Sequence, residues 1–452
     1  MAYRRCACVL ALLLLVALPL PAQTLQIEDY TLPNGLRVVL NPDRSTPLVA
    51  VNIWYHVGSA NERPGRTGFA HLFEHMLFSG SQHVGNNEHF RYVQSVGGLI
   101  NGSTTFDRTN YYETMPANYL PLALWLESDR MGWFLPALDQ QKLDIQKNVV
   151  KEERRQRYDN VPYGTWIEDQ LRLLFPSTHP YSWPTIGSMA DLTAAELDDV
   201  REFFRTYYAP NNAVLTLVGD FDVPQARTLI QRYFGPIPRG PAIPRIDAKL
   251  DPLGGEKRRV IEAEARLPRL YRMYRIPPVG TQEWMAADLL TNILALGKDS
   301  RLERSLILEQ QIAQDVVAFA WPAQLSGMLA FWVTPKPGIP VERVEQALDA
   351  EFARLIESGI TEEELTRARN RAQTSFANEL AEFASRADVL SMSATYLGDP
   401  RAVLQWPQRY QDIPAALIRD VASTYLDPAN RVTVTYVPKA AAPAPAAAGG
   451  AR

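Results

Sequence analysis

Two copies of one pattern make up most of this sequence, and this internal repeat limits the folds that the chain can adopt. In the first half, LVAVNIWYHVGS leads into FAHLFEHMLFSG. In the second half, LYRMYRIPPVG leads into AADLLTNILALG, and Gly297 matches Gly80. Further along, TYYAPNNAVLTLV is matched by TYLDPANRVTVTY, so that Pro428 matches Pro210. Two separate matches at nearly the same offset indicate a duplicated unit.

Each copy mixes two kinds of hydrophobic periodicity. Segments such as LRVVLNP and VAVNIWYHV alternate with period two, which is typical of strands, whereas ANYLPLALWLESDRM has helical spacing. We therefore predict an α+β fold with two homologous domains, each a mixed or antiparallel sheet with helices packed on it. The domains are predicted to span residues 23–240 and 260–438, with a Pro- and Gly-rich linker at 241–259.

The two ends of the chain differ in composition from the domains. Residues 1–22 combine a positively charged start with the apolar run CVLALLLLVALPLPA and small residues, which is typical of a cleaved export signal. We expect export to the periplasm or the medium, with no stable membrane span after processing; a retained N-terminal anchor is the alternative. Both cysteines, Cys6 and Cys8, lie in this segment, so the processed chain would contain no thiol. The Ala- and Pro-rich tail, 439–452, is predicted to be disordered.

The segment FAHLFEHMLF holds two of the six histidines. His71 and His75 are four residues apart on a predicted helix, so both imidazoles can meet one metal ion. Glu74 lies on nearly the same face, where it could accept a proton from a water molecule that zinc activates. The arrangement H-x-x-E-H is the inverted zincin motif. The alternative is a pair of surface histidines with an incidental glutamate.

The second copy keeps the apolar pattern of this helix but not its polar residues. Asp288, Thr291 and Asn292 stand at the positions of the two histidines and the glutamate. The fold therefore does not require the H-x-x-E-H side chains, which favours a chemical role for them in the first copy.

A catalytic zinc ion needs a third protein ligand, and NVVKEE offers Glu152 and Glu153. Four residues of the preceding helical segment predict an apolar stripe: Leu143, Ile145, Val149 and Val150. Glu153 falls near the centre of this stripe and Glu152 near its edge. Because a glutamate that faces the core needs a partner such as a metal ion, we predict Glu153 as the ligand. Gln146 lies on the same face and is predicted to support the ligands by hydrogen bonding.

With HLFEH, NVVKEE about eighty residues later and the paired domains, the chain resembles the pitrilysin/insulinase family of zinc peptidases. Within that family it is similar to the short two-domain members related to mitochondrial processing peptidase. The resemblance implies one zinc ion per chain, held by His71, His75 and Glu153, with Glu74 as the general base. Many members have a glutamate where Gln146 stands, so this chain lacks one charge near the site.

The resemblance also implies where a peptide would bind. In family members, the strand that corresponds to GGLINGSTTFDRTNYYETMP (97–116) forms a sheet edge beside the zinc, and the substrate adds to it as a further strand. An ordinary buried strand is the alternative. The predicted substrate-binding residues are Asn101, Gly102, Ser103 and Thr104. Four histidines have no ligand-like spacing and are expected to be structural or to lie at the surface: His56, His83, His89 and His179.

Related enzymes complete the site with an Arg and a Tyr, seven residues apart, from a C-terminal half; these stabilise the charge on the substrate carbonyl. Here Ile307 and Gln314 stand at those positions, and Arg304 lies three residues before the expected position of the Arg. We therefore expect a zinc endopeptidase subunit for short or unfolded peptides. A homologous two-domain partner with the Arg/Tyr pair would complete it as a heterodimer, and a homodimer is possible.

The alternative function is that of a non-hydrolytic peptide-binding or assembly subunit of the same fold. Nucleic acid is not an expected partner of either, because the net charge is −4 and the basic residues are scattered.

Overall fold

The computed structural model describes residues 25–439 of the chain. The predicted export signal, with Cys6 and Cys8, lies outside the described residues, as does the predicted tail after Lys439. Between residues 25 and 439, no helix combines the length and apolar character needed to span a membrane.

The first half folds around a six-stranded mixed sheet. In spatial order its strands are β1 (Glu28–Thr31), β2 (Arg37–Pro42), β6 (Ala213–Gly219), β3 (Leu48–Tyr55), β5 (Thr109–Pro116) and β4 (Leu99–Thr104). The pair β2 and β6 is parallel, and the other pairs are antiparallel. The segment 97–116, predicted as one strand, forms the two strands of the β4–β5 hairpin, because the chain turns between Thr105 and Arg108.

The second half repeats this arrangement in a five-stranded sheet. Its spatial order is β7 (Lys257–Ala263), β11 (Arg431–Pro438), β8 (Arg269–Ile276), β10 (Gly327–Pro335) and β9 (Ala313–Trp321). The parallel pair β7 and β11 corresponds to β2 and β6, so the sheets match strand for strand apart from β1. The predicted α+β fold with two homologous domains is confirmed. Strand β7 begins at Lys257, within the segment 241–259 that is predicted as a linker.

Helices cover both sheets. In the first half they are α1 (Phe69–Met76), α2 (Glu88–Ser95), α3 (Leu120–Trp133), α4 (Gln140–Arg154), α5 (Trp166–Leu174), α6 (Met189–Ala194), α7 (Leu197–Tyr207) and α8 (Val223–Phe234). In the second half they are α9 (Gln282–Ala295), α10 (Val341–Ser358), α11 (Glu362–Ala381), α12 (Phe383–Tyr396), α13 (Trp406–Asp412) and α14 (Ala415–Tyr425). A π-helical turn, Arg155–Asp159, continues α4.

Each half contributes one helix that packs on the sheet of the other half. Helix α5 of the first half packs on the second sheet, where Leu171 and Leu174 join a core with Met273 and Val432. Helix α12 of the second half packs on the first sheet, on the face opposite α1. The domains therefore share cores, and the second domain backs the sheet that carries the candidate site.

Candidate metal centre

Helix α1 begins in a way that fixes the orientation of the H-x-x-E-H segment. Gly68, just before the helix, has φ +87°, a left-handed conformation that suits glycine. The carboxylate of Glu62 accepts hydrogen bonds from the backbone N–H groups of Gly68 (2.9 Å) and Ala70 (2.8 Å). A carboxylate at this end satisfies free N–H groups and complements the helix dipole. Helix α1 packs its fully buried side chains Leu72, Phe73 and Met76 into the core of the first domain.

The opposite face of α1 meets α4, and three side chains converge there. Nε2 of His71 lies 3.7 Å and Nε2 of His75 lies 3.2 Å from Oε2 of Glu153. Zinc bonds of roughly 2.0–2.2 Å in tetrahedral geometry separate neighbouring ligand atoms by about 3.4 Å. Two histidines and one glutamate are also a donor set that catalytic zinc sites use, leaving a fourth position open. The three residues therefore fit a zinc ion.

The ionisation states of His71 and Glu153 suit metal binding. Burial, with the neighbouring His75 as a second cause, lowers the pKa of His71 to about 4, so its imidazole is neutral at pH 7. The hydrogen bond with His75 lowers the pKa of Glu153, which also interacts with Arg157 through its other oxygen (2.8 Å). Because a metal competes with protons for its ligands, a neutral imidazole and an ionised carboxylate bind it without prior proton loss.

The apolar stripe from which Glu153 was predicted is partly wrong. Leu143 and Val150 are fully buried, but Ile145 and Val149 are 46% and 43% exposed. The buried face of α4 is therefore narrower than predicted, and Glu153 lies at its border rather than near its centre. It is the contact between α4 and α1 that brings this border position to the histidines.

Glu152 differs sharply from its neighbour, which gives a prediction for the third ligand. Its side chain is 53% exposed and pairs with Arg155 (2.9 Å), away from the histidines. We expect Glu153→Ala to lose zinc and Glu152→Ala to retain it, as measured by metal analysis of the purified proteins. Zinc bound stoichiometrically to Glu153→Ala would contradict the assignment of Glu153.

Glu74 stands beside the three converging residues without being one of them. It is half-buried, and burial raises the pKa of its carboxyl group. Its Oε2 accepts a hydrogen bond from the hydroxyl of Thr104 on β4 (2.6 Å). The arrangement thus places a hydrogen-bonded carboxylate next to the candidate metal centre.

Strand β4 is the edge strand of the first sheet, so no other strand within residues 25–439 pairs with one side of its backbone. Successive residues face opposite sides of the sheet. Gly102 and Thr104 face α1: a Cβ atom at Gly102 would lie 3.0 Å from Cγ of Glu74. Ser103 faces the other side, where its hydroxyl donates to Asn110 (2.8 Å), and Asn101 shares that face. The hydrogen bond between Thr104 and Glu74 is not predicted from the sequence, because no local pattern relates residues that are thirty positions apart.

The remaining predicted positions lie elsewhere in the fold. Gln146 is half-buried on α4, two helical turns before Glu153. In the second domain, Ile307 lies in a π-helical turn against the core, and Gln314 is exposed on β9. Arg304 forms an exposed ion pair with Glu309 (3.4 Å).

In α9, the equivalent helix of the second domain, the residues that replace the motif form hydrogen bonds within the domain. Asp288 accepts a hydrogen bond from the Tyr410 hydroxyl (2.9 Å), and burial raises the pKa of Asp288 to about 6. The side chains of Thr291 and Asn292 donate to the Asp288 carbonyl. Among residues 25–439, the group on α1 and α4 is the only cluster of three or more His, Cys, Asp or Glu ligands close enough to bind one ion.

Sequence profiles of one peptidase family match both halves of the chain. The profile described as Insulinase (Peptidase family M16) matches residues 37–172, and that described as Peptidase M16 inactive domain matches residues 194–372. The chain belongs to the M16, or insulinase, family of peptidases. The Insulinase profile covers the first domain, which carries HLFEH. The inactive-domain profile covers much of the second domain, where Asp288, Thr291 and Asn292 replace the motif residues. The resemblance found in the sequence is thereby confirmed.

Relatives and solved structures of M16 proteins match over most of the chain. The zinc protease PqqE of Helicobacter pylori is 29% identical over 422 residues, which cover 91% of this chain and 93% of that protein. The crystal structure of a protease from Helicobacter pylori is similar with a TM-score of 0.86 at 27% identity, covering 91% of this chain and 99% of that one. The periplasmic protease PqqL from Escherichia coli has a TM-score of 0.73 at 22% identity, covering 93% of this chain but only 48% of that one. The fold of this chain thus corresponds to about half of PqqL.

Proposed function

We propose that this chain is the zinc-binding subunit of an exported M16 endopeptidase that hydrolyses short or unfolded peptides. The observation that carries the proposal is the meeting of His71, His75 and Glu153 beside Glu74 and an open sheet edge. In this proposal the first three residues hold one zinc ion. The names of relatives such as the zinc protease PqqE of Helicobacter pylori support the same chemistry.

The residues around the site have distinct tasks in this mechanism. A zinc ion supplies Lewis-acid activation of water and of the scissile carbonyl when bound. Glu74 accepts the proton of the attacking water and then donates it to the departing amine. The free edge of β4, at Asn101, Gly102 and Ser103, offers backbone groups with which an extended peptide pairs. Edge pairing recognises unfolded backbone, which is why short or unfolded peptides are the proposed substrates.

A homologous partner is proposed because the chain lacks two donors. Ile307 and Gln314 cannot donate hydrogen bonds to a substrate carbonyl in the way that an Arg/Tyr pair does. The chain also corresponds in fold to about half of PqqL, so a second two-domain chain could supply what is missing. A heterodimer is the proposed assembly, with a homodimer as the other possibility.

The missing Arg/Tyr pair would also be consistent with a non-hydrolytic peptide-binding subunit. Removal of zinc by a chelator distinguishes the two functions. We expect the purified chain, with its partner, to cleave unstructured peptides, to lose this activity in a chelator and to regain it when zinc is restored. Peptide cleavage is followed by mass spectrometry, which also gives the cleaved bonds. Peptide binding without cleavage in the zinc-loaded complex would favour the non-hydrolytic function instead.

Export is proposed from the first 22 residues, and the periplasmic location named for PqqL is in line with it. We expect the mature chain to begin near Gln23 and to contain neither Cys6 nor Cys8, since signal peptidase cleaves after small residues that follow the apolar run. N-terminal sequencing and intact mass of protein from the native cell envelope test this. A mature chain that retains both cysteines would contradict cleavage and support an anchor.

A further inference from the structure

We propose that Thr104 is the residue that positions Glu74, and that it is not a substrate-binding residue. This inference rests on the proposed function, since it assigns Thr104 a part in orienting the general base. The hydroxyl of Thr104 donates to Oε2 of Glu74 at 2.6 Å, and within residues 25–439 this is the hydrogen bond that the Glu74 side chain forms. The other oxygen, Oε1, is thereby left to meet a water molecule.

A glutamate on a short helix needs such a tether. Its side chain has three rotatable bonds, whereas a general base must lie within hydrogen-bond reach of the proton that it accepts. A threonine is well suited to the task, because its branched Cβ restricts χ1 and holds the hydroxyl in few orientations. The hydroxyl of Thr104 therefore limits the positions that the Glu74 carboxylate can adopt.

The strand that carries Thr104 is itself held in place. Thr104 pairs with Thr109 across the β4–β5 hairpin, and Arg108 donates to the Ser103 carbonyl (2.8 Å). On the face towards α1, Gly102 leaves room for Glu74, because a Cβ atom would lie 3.0 Å from its Cγ. The Glu74 side chain thus passes close to Gly102 at its Cγ atom, and its carboxylate accepts the hydrogen bond from Thr104.

This geometry makes the hairpin part of the catalytic machinery as well as a docking edge. A peptide that pairs with the free edge of β4 is aligned by the same strand that aligns the base. Substrate and base are therefore positioned relative to each other by one rigid element, which is the requirement for productive proton transfer.

The test compares Thr104→Val, which keeps the shape and removes the hydroxyl, with Thr104→Ser, which keeps the hydroxyl. In the active assembly, Thr104→Val is expected to lower kcat on the order of 10- to 100-fold, with KM and bound zinc unchanged, because one hydrogen bond to a charged group is lost. Thr104→Ser is expected to retain most of kcat. Thr31→Val, on β1 at the opposite edge of the same sheet, is the matched control, because Thr31 is exposed and distant in the sheet order from β4; it should behave as the wild type.

Two further readouts separate positioning from a general structural role. Crystal structures without metal should have one Glu74 conformer in the wild type and Thr104→Ser, and a displaced or multiple conformer in Thr104→Val. Added to Glu74→Gln, Thr104→Val should cause no further loss of kcat. A Thr104→Val variant with normal kcat, or with raised KM alone, would overturn this inference while leaving the proposed function intact. A zinc-loaded wild-type complex that cleaves no peptide would overturn both.

Discussion

Glu74→Gln is expected to retain zinc and to lower peptide cleavage on the order of 10²-fold or more. The glutamine has the same shape and can still accept the hydrogen bond from Thr104, but it cannot take a proton from water. The metal ligands in this account, His71, His75 and Glu153, are untouched. The loss should therefore fall on kcat, with zinc content and peptide affinity near those of the wild type.

The matched control for this variant is Glu152→Gln. This variant removes the charge of Glu152, which lies next to Glu153 on α4. The Glu152 side chain is half exposed and pairs with Arg155. Zinc content and kcat of this control should equal those of the wild type. If Glu74→Gln cleaved peptides at the wild-type rate, another residue would have to be the general base.

The isolated subunit is expected to cleave peptides at about 1% or less of the rate of the complete assembly. Zinc and Glu74 provide for the attack of water, but the charge that develops on the carbonyl oxygen lacks the Arg and Tyr donors. One such donor contributes roughly 10²–10³ in rate, and metal coordination of the same oxygen offsets part of the loss. The measurement is peptide cleavage by the zinc-loaded chain with and without a homologous two-domain protein that carries the Arg/Tyr pair.

The oligomeric state of the active species decides which donor completes the site. Sedimentation analysis under assay conditions separates monomer, homodimer and heterodimer. An active homodimer would direct attention to Arg304 of the second domain, and Arg304→Ala would then lower kcat. Full activity of a monomer would contradict the need for any partner.

The repeat and the closeness of His71 to His75 could be predicted from the sequence because both depend on local patterns. Matching strand order in the two sheets follows from the duplicated pattern, and His71 and His75 share a face because of helical spacing alone. The lost motif at Asp288 is visible for the same reason. Such features need no knowledge of how distant segments pack.

What the sequence did not reveal depends on contacts between segments. Ile145 and Val149 look like core residues on α4 but are exposed, because α4 meets the rest of the domain over a narrow strip. The hydrogen bond from Thr104 to Glu74 depends on how β4 lies against α1. The packing of α5 and α12 on the sheets of the opposite halves depends on how the two sheets lie together. Periodicity within one segment cannot encode these relations.

Metal analysis of the purified chain tests the central claim most directly. The account predicts one zinc ion per chain in the wild type and none in His71→Ala, with the fold of the variant intact by circular dichroism. A wild-type chain that binds no zinc under conditions in which it is folded, or a His71→Ala variant that keeps a full equivalent, would contradict the metal centre on α1 and α4.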